Sequence, residues 1–168
     1  MAKVEKSVFD TGPFMHLNEI GHLGILSLFQ EIDIPVEVLD EFDRNLADGI
    51  KKLRNVLVKS LKGEHKDLAK YLLEQYDIEL GEVACMALCK QERIGLFFTD
   101  DLEAREVASN FGLNAHGTLA IVTRCLRERV VTKDEAKKMI LEIHEKSSLF
   151  LTTDLKEWAL GEIDKFSS

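Results

Sequence analysis

The chain alternates short apolar runs with stretches in which apolar residues recur every three or four positions, and this predicts strands and helices in turn. "VEKSVFD" reads as a strand ending at Asp10. "TGP" then turns the chain into "FMHLNEIGHLGILSLF", where Phe14, Leu17, Ile20, Leu23 and Leu26 keep helical spacing. "EIDIP" is a second short strand, and Pro35 opens the helix "PVEVLDEFDRNLADGIKKL" in the first-turn position that suits a residue without an amide hydrogen. "HKDLAKYLLEQY" and "GEVACMALCKQER" are further helices. "IGLFFTD" is a strand, "LEAREVASNFG" a helix stopped by Gly112, and "LNAHG" a strand. "TLAIVTRCLRERV", "KDEAKKMILEIHEK" and "DLKEWALGEI" make the C-terminal part rich in helix. The pattern predicts an α/β fold with a parallel sheet flanked by helices. There is no repeat, low-complexity tract or Ser/Gly linker, so residues 1–168 are expected to form a single domain.

Composition narrows the function classes. The 168 residues are 45% hydrophobic and 31% charged, ordinary for a globular protein. Thirty acidic against 22 basic residues give a net charge of -8, which argues against coating nucleic acid by charge alone but leaves open a nuclease whose own site is acidic. Charges interrupt the apolar run of "MAKVEKSVFD", and no later segment approaches about 20 apolar residues. A cytoplasmic protein without membrane association is the expectation. Cys85, Cys89 and Cys125 lie in apolar helical patterns with no second close pair to complete a zinc site, so buried thiols are expected.

The acids are the candidate chemistry. Asp10 ends the first strand, and Asp100 with Asp101 ends a later one, where ligands of open parallel sheets collect. Glu41 falls inside the second helix beside Val38 and Phe42, and Glu82 opens "GEVACMALC" one turn before Met86. Each has a structural reading. Asp10 in "DTGP" suits an Asx-turn, Glu82 a first-turn acid at a helix dipole, and Glu41 a surface charge. In "TDDLEA", Thr99 or Asp100 suits the N-cap, with Glu103 completing a capping box and Asp101 favouring the positive end of the dipole. If the acids instead converge, their repulsion calls for a cation, and all-oxygen ligands suit Mg²⁺ or Mn²⁺.

The ordered series "VFDTGP", "IPVEVLDEF", "LGEVACMALC", "LFFTDD" and "LEAREVASNFGLNAHGTLAIV" resembles the PIN domain family. It is most similar to a prokaryotic subfamily whose third acid sits in a Gly-Glu helix start and whose last strand leads to a Gly-Thr helix. The resemblance spans about residues 5–130 and leaves 131–168 as C-terminal helices. It implies a three-layer α/β/α fold around a small central parallel sheet. It also implies a Mg²⁺ or Mn²⁺ site of Asp10, Glu41, Glu82 and Asp101, supported by Thr11, Thr99 and Asp100. The implied activity is hydrolysis of RNA by metal-activated water. Many prokaryotic PIN proteins are the toxins of toxin-antitoxin pairs, and many form homodimers, so an RNA substrate, an antitoxin protein and a second copy are the implied partners. Glu82 stands where most PIN domains have Asp, and the added methylene moves the carboxylate by about 1.5 Å. Asp101 takes the family's Thr-x-Asp position, while helix-start geometry suits Asp100 as the cap.

Substrate steering falls to local basic groups, Arg105 and the "RCLRER" arginines Arg124, Arg127 and Arg129, whose plainer reading is a solvated helix face. His16 and His116 are further candidates for the border of the site, with a packed or exposed side chain as the plainer reading of each. Two rival readings stand beside the ribonuclease. One is a catalytically weak PIN-like scaffold in RNA processing. The other is a Mg²⁺-dependent phosphoacceptor or phosphatase, although "DTG" lacks the second Asp of a haloacid-type Asp-x-Asp.

Overall fold

The computed structural model describes residues 5–167, and among them five strands form one parallel sheet. They are β1 (Ser7–Phe9), β2 (Ile32–Pro35), β3 (Val56–Lys59), β4 (Leu96–Phe98) and β5 (Asn114–His116), in the order β3-β2-β1-β4-β5. The first strand was expected from Val4, which lies outside the described residues. The helices are α1 (Thr11–Glu19), α2 (Val36–Leu39), α3 (Arg44–Ile50), α4 (Gly63–Gln75), α5 (Leu80–Glu92), α6 (Leu102–Asn110), α7 (Thr118–Arg127), α8 (Lys133–Lys146) and α9 (Thr153–Asp164). α5 packs on β1, β2 and β4 with α4 outside it, whereas α1, α7 and α8 pack on one another, giving helical layers around the sheet. This is the predicted α/β architecture.

β1 is the hinge of the arrangement because it pairs with β2 on one side and β4 on the other. Its three residues are fully buried. Phe9 meets Phe14, Phe29 and Phe98 at ring-centroid distances of 5.1, 5.2 and 4.9 Å, an aromatic cluster directly beneath the carboxyl ends of the central strands. Aromatic pairs at such distances add packing energy beyond their buried area. Cys85, Cys89 and Cys125 are free and buried, as their apolar surroundings predict.

Two predicted helices are broken. The helix over 14–29 stops at Glu19, where Gly21 takes a left-handed φ of 73°, and a 3-10 turn over Leu23–Leu28 follows. Phe14, Leu17, Ile20, Leu23 and Leu26 are nonetheless all buried, so the spacing marked the core-facing residues across a break in the helix. The helix over 35–53 divides into α2 and α3 because Asp43 caps α3, its Oδ1 accepting from the Leu46 N–H at 2.8 Å. Pro35 ends β2 and precedes α2 instead of entering its first turn. Gly112 does stop α6, at a φ of 78°.

The sequence pattern assigned no element to β3. It is a half-exposed edge strand of four residues, without alternation, between basic stretches. Its position is secured by Lys59, whose Nζ lies 2.7 Å from the fully buried Asp33 of β2, 3.3 Å from Glu31 and 2.8 Å from Glu92 at the end of α5. Burial pushes the Asp33 carboxyl up to about 6, and Lys59 is the cation that opposes this. Replacing Lys59 with Met leaves Asp33 buried without its cation. Lys59→Met is therefore expected to destabilise the fold by about 3 kcal/mol in urea denaturation at pH 8, with a smaller loss at pH 5 where Asp33 takes a proton.

Candidate active site

The carboxyl ends of the strands and the starts of three helices bring the predicted acids to one edge of the sheet. Asp10 follows β1 directly, and its N–H donates to the Phe98 carbonyl at 2.9 Å, so the strand pairing with β4 fixes its backbone. It occupies the N-cap position of α1 without using its side chain as a cap. Its Oδ2 instead accepts from the Thr99 hydroxyl at 3.1 Å. Thr99 is fully buried and is itself fixed by its N–H to the His116 carbonyl at 2.8 Å. The Asx-turn reading of Asp10 is thus replaced by a carboxylate held from the neighbouring strand.

Glu41 lies in the turn between α2 and α3, not inside a helix as its apolar neighbours suggested. Its Oε2 accepts from the Thr11 hydroxyl at 2.5 Å, which joins the turn after α2 to the start of α1. Across from it is Gly81, where a Cβ would overlap the Glu41 carboxylate. The "GE" of α5 therefore has a spatial meaning: the glycine admits one acid and the next residue supplies another. Glu82 is 7% exposed and accepts from the Glu79 N–H at 2.9 Å. Its structural reading is realised in part, since one oxygen satisfies a free amide of the helix start.

The paired aspartates divide their tasks differently from the expectation. Asp101, not Thr99 or Asp100, is the N-cap of α6, its Oδ1 accepting from the Ala104 N–H at 2.7 Å. Its own N–H donates to the Thr99 hydroxyl at 3.3 Å. Asp100 reaches sideways to the start of α7, where its Oδ1 accepts from the Thr118 N–H at 2.7 Å and its Oδ2 from the Thr118 hydroxyl at 2.5 Å. The cap shifts by one because Asp100 finds two donors on another element. His16, nearly buried, stands between Glu19 at 3.0 Å and Asp100 at 3.7 Å, so it borders the site as its sequence position allowed. Thr118 was not singled out individually; only its place in the Gly-Thr helix start marked it.

Electrostatics bind these groups into one cluster. Burial, and then the charges of Glu41 and Asp100, push Asp10 up to about 6 against the opposing Thr11 N–H and Thr99 hydroxyl. Glu82 is pushed up to about 7, again by burial first, with Asp10 and Asp101 adding to it. Among the described residues no Lys, Arg or His forms an ion pair with Asp10, Glu41, Glu82 or Asp101. Uncompensated carboxylates of this kind suit a hard divalent cation by donor type and charge. As their side chains are oriented, no three His, Cys, Asp or Glu groups among the described residues close on one point, so the acids line a mouth and do not form a closed cage.

Of the arginines, Arg105 lies at this mouth, its Nη1 within 2.6 Å of where a Cβ on Gly117 would be. Arg124 instead rests on the Phe98 ring, its guanidinium carbon 5.6 Å from the ring centre.

A PIN domain family model matches residues 6–165. The chain belongs to the PIN domain family. PIN domains are generally nucleases and typically use divalent metals, which accords with the acidic mouth described above. The match also takes in α8 and α9, beyond the stretch over which the motifs had carried the resemblance. No curated protein matches the chain. No helix among the described residues is long and apolar enough to cross a membrane.

The raised carboxyls make stability depend on pH in a stated direction. In metal-free protein the folded state keeps protons on Asp10 and Glu82 that the unfolded state releases from 3.8 and 4.5 upward. The unfolded state thus binds fewer protons across this window, and the contribution of both groups to stability falls as pH rises from about 4 to about 7. Asp10→Asn removes the Asp10 share: in EDTA the variant is expected to melt above the parent at pH 8, with the two converging near pH 4. Equal melting at pH 8 would mean that Asp10 pays no cost for its burial.

Proposed function

We propose that this PIN domain is a Mg²⁺- or Mn²⁺-dependent ribonuclease. The observation that carries the reading is Asp10, a buried carboxylate at the carboxyl end of the central strand with acidic neighbours and no cationic partner among the described residues. Asp10, Glu41, Glu82 and Asp101 would hold the ion. Once bound, it would supply Lewis acidity that activates water and neutralises charge growing on the scissile phosphate.

The chain's own residues prepare that chemistry. The Thr99 hydroxyl orients Asp10, and Thr11 orients Glu41, so two flexible carboxylates face the mouth without searching their rotamers. Glu82 and Asp101 are each tethered through one backbone amide at a helix start. Both oxygens of Asp100 are engaged by Thr118, which favours a positioning role for it and leaves the ligand role to Asp101. Arg105, half-buried beside Gly117, would meet a phosphate at the same mouth.

Cleavage of single-stranded RNA is expected in Mg²⁺ or Mn²⁺ and not in EDTA; cleavage that persists in EDTA would sink the proposal. Two variants separate the adjacent aspartates. Asn caps helices about as well as Asp, so Asp101→Asn should change stability by less than about 0.5 kcal/mol while cleavage falls by orders of magnitude. Asp100→Ala strips the acceptor from Thr118 and should cost about 1–3 kcal/mol in thermal melting, with a smaller loss of cleavage. The reverse pattern would transfer the ligand role to Asp100.

A further inference from the structure

Beyond the carboxylates, a groove of about 1140 Å³ runs from Asp100 and Asp101 between α6, α7 and the segment leading into α9. Three of its large apolar side chains are turned to solvent: Leu102 is 73% exposed, Phe150 88% and Trp158 61%. A monomeric surface seldom leaves two aromatics and a leucine this open together unless something covers them. Where the groove meets the acids, Gly117 lets two side chains cross its backbone: a Cβ there would come within 2.6 Å of Arg105 Nη1 and 2.8 Å of Asp100 Oδ1. Arg105 enters no ion pair among the described residues, although carboxylates are plentiful around it.

We propose that this groove is the subsite for the unpaired nucleotides next to the scissile phosphate, with Arg105 taking a backbone phosphate and Trp158 and Phe150 stacking on bases. The inference rests on the ribonuclease reading and names the side chains that would hold the single strand. Charge favours this division of contacts. Arg105 is the single Arg or Lys among the groove's lining residues, and it stands at the end shared with the carboxylates. Glu103, Glu106 and Glu162 on the walls repel phosphate from the rest, where an uncharged base face loses nothing. Stacking requires no positive lining and tolerates any base, and a duplex offers no free faces to Trp158.

Trp158 is the only tryptophan of the chain, so its fluorescence reports on the groove directly. The probe is a 12-nucleotide single-stranded RNA of mixed sequence, titrated in Mg²⁺ into the Asp10→Asn protein, which is expected to bind without cutting. Trp158 emission should be quenched by the single strand and not by the same sequence as a duplex. With a fluorescein-labelled strand, Trp158→Ala and Arg105→Gln should each weaken binding about tenfold, while Trp158→Phe restores it to within about threefold. Phe150→Ala, at a side chain too exposed to matter for folding, should also weaken binding. In the cleaving protein the loss in kcat/KM should be carried by KM.

Unaltered binding in both Trp158→Ala and Phe150→Ala overturns the inference. So does quenching by an 18-residue Lys/Leu amphipathic peptide with none by RNA, since the groove would then be a docking face for a cationic helix. The two readings fail separately. A wild-type protein that cleaves RNA with Trp158→Ala kinetics unchanged refutes the groove alone, whereas RNA binding that depends on Trp158 without metal-dependent cleavage refutes the nuclease reading alone.

Discussion

The pairing of β1 with β4 is the interaction on which the rest depends. It sets Asp10 level with Thr99, so that a strand-end backbone amide meets the Phe98 carbonyl and a buried hydroxyl meets the carboxylate. Once this register is fixed, the other acids have few places to go. Asp100 and Asp101 leave β4 one and two residues after Thr99, and the turn after α2 brings Glu41 against Thr11. A one-residue slip would turn Phe9 out of its aromatic cluster and Asp10 away from Thr99 together, since alternate residues face opposite sides of a sheet. Core packing and site geometry are therefore selected by the same register.

Gathering like charges costs stability, and the fold offsets the cost in two ways. The first is the phenylalanine cluster beneath the strand ends, where Phe9, Phe14, Phe29 and Phe98 are fully buried. The second is the orientation of the helices. α5, α6 and α7 all present their N-terminal ends to the acidic edge, because helices that alternate with parallel strands run antiparallel to them. The positive ends of three helix dipoles thus face the carboxylates, and Glu82, Asp101 and Asp100 each take a backbone N–H at one of these starts or just before it. The cost that remains shows in the raised carboxyls of Asp10 and Glu82, through burial first and like-charge repulsion after it.

The sequence made most of this legible where the pattern is long or strongly apolar. The strands of "SVF", "IDIP" and "LFF" and the helices after residue 63 lie close to where periodicity puts them. It failed where a polar contact overrides periodicity. Asp43 breaks a continuous helical pattern by capping α3, and that moves Glu41 from a helix face to a turn. β3 carries no readable pattern, since its place depends on Lys59 meeting Asp33, a contact between residues 26 apart. At "TDD" the local geometry allowed either cap. The choice was made by Thr118, eighteen residues downstream, which no local rule could weigh. The acids of the candidate site were visible as residues, but their partners were not.

The opposition between structural and functional readings of an acid dissolves at Glu82 and Asp101. A carboxylate has two oxygens, and a helix start engages one of them. That single hydrogen bond fixes the side chain's direction while leaving charge at the mouth, so one contact both satisfies the helix start and orients the acid. Asp10 reaches the same state by another route: it declines its cap and is held by Thr99 instead. The distinction matters for substitution. Asn at a capping acid keeps the hydrogen bond and removes only the charge, whereas Ala removes both. A pair of variants at one position can therefore separate the architecture of this site from its electrostatics, and for Asp101 the two should diverge most, because its cap bond is short and its side chain is solvent-exposed.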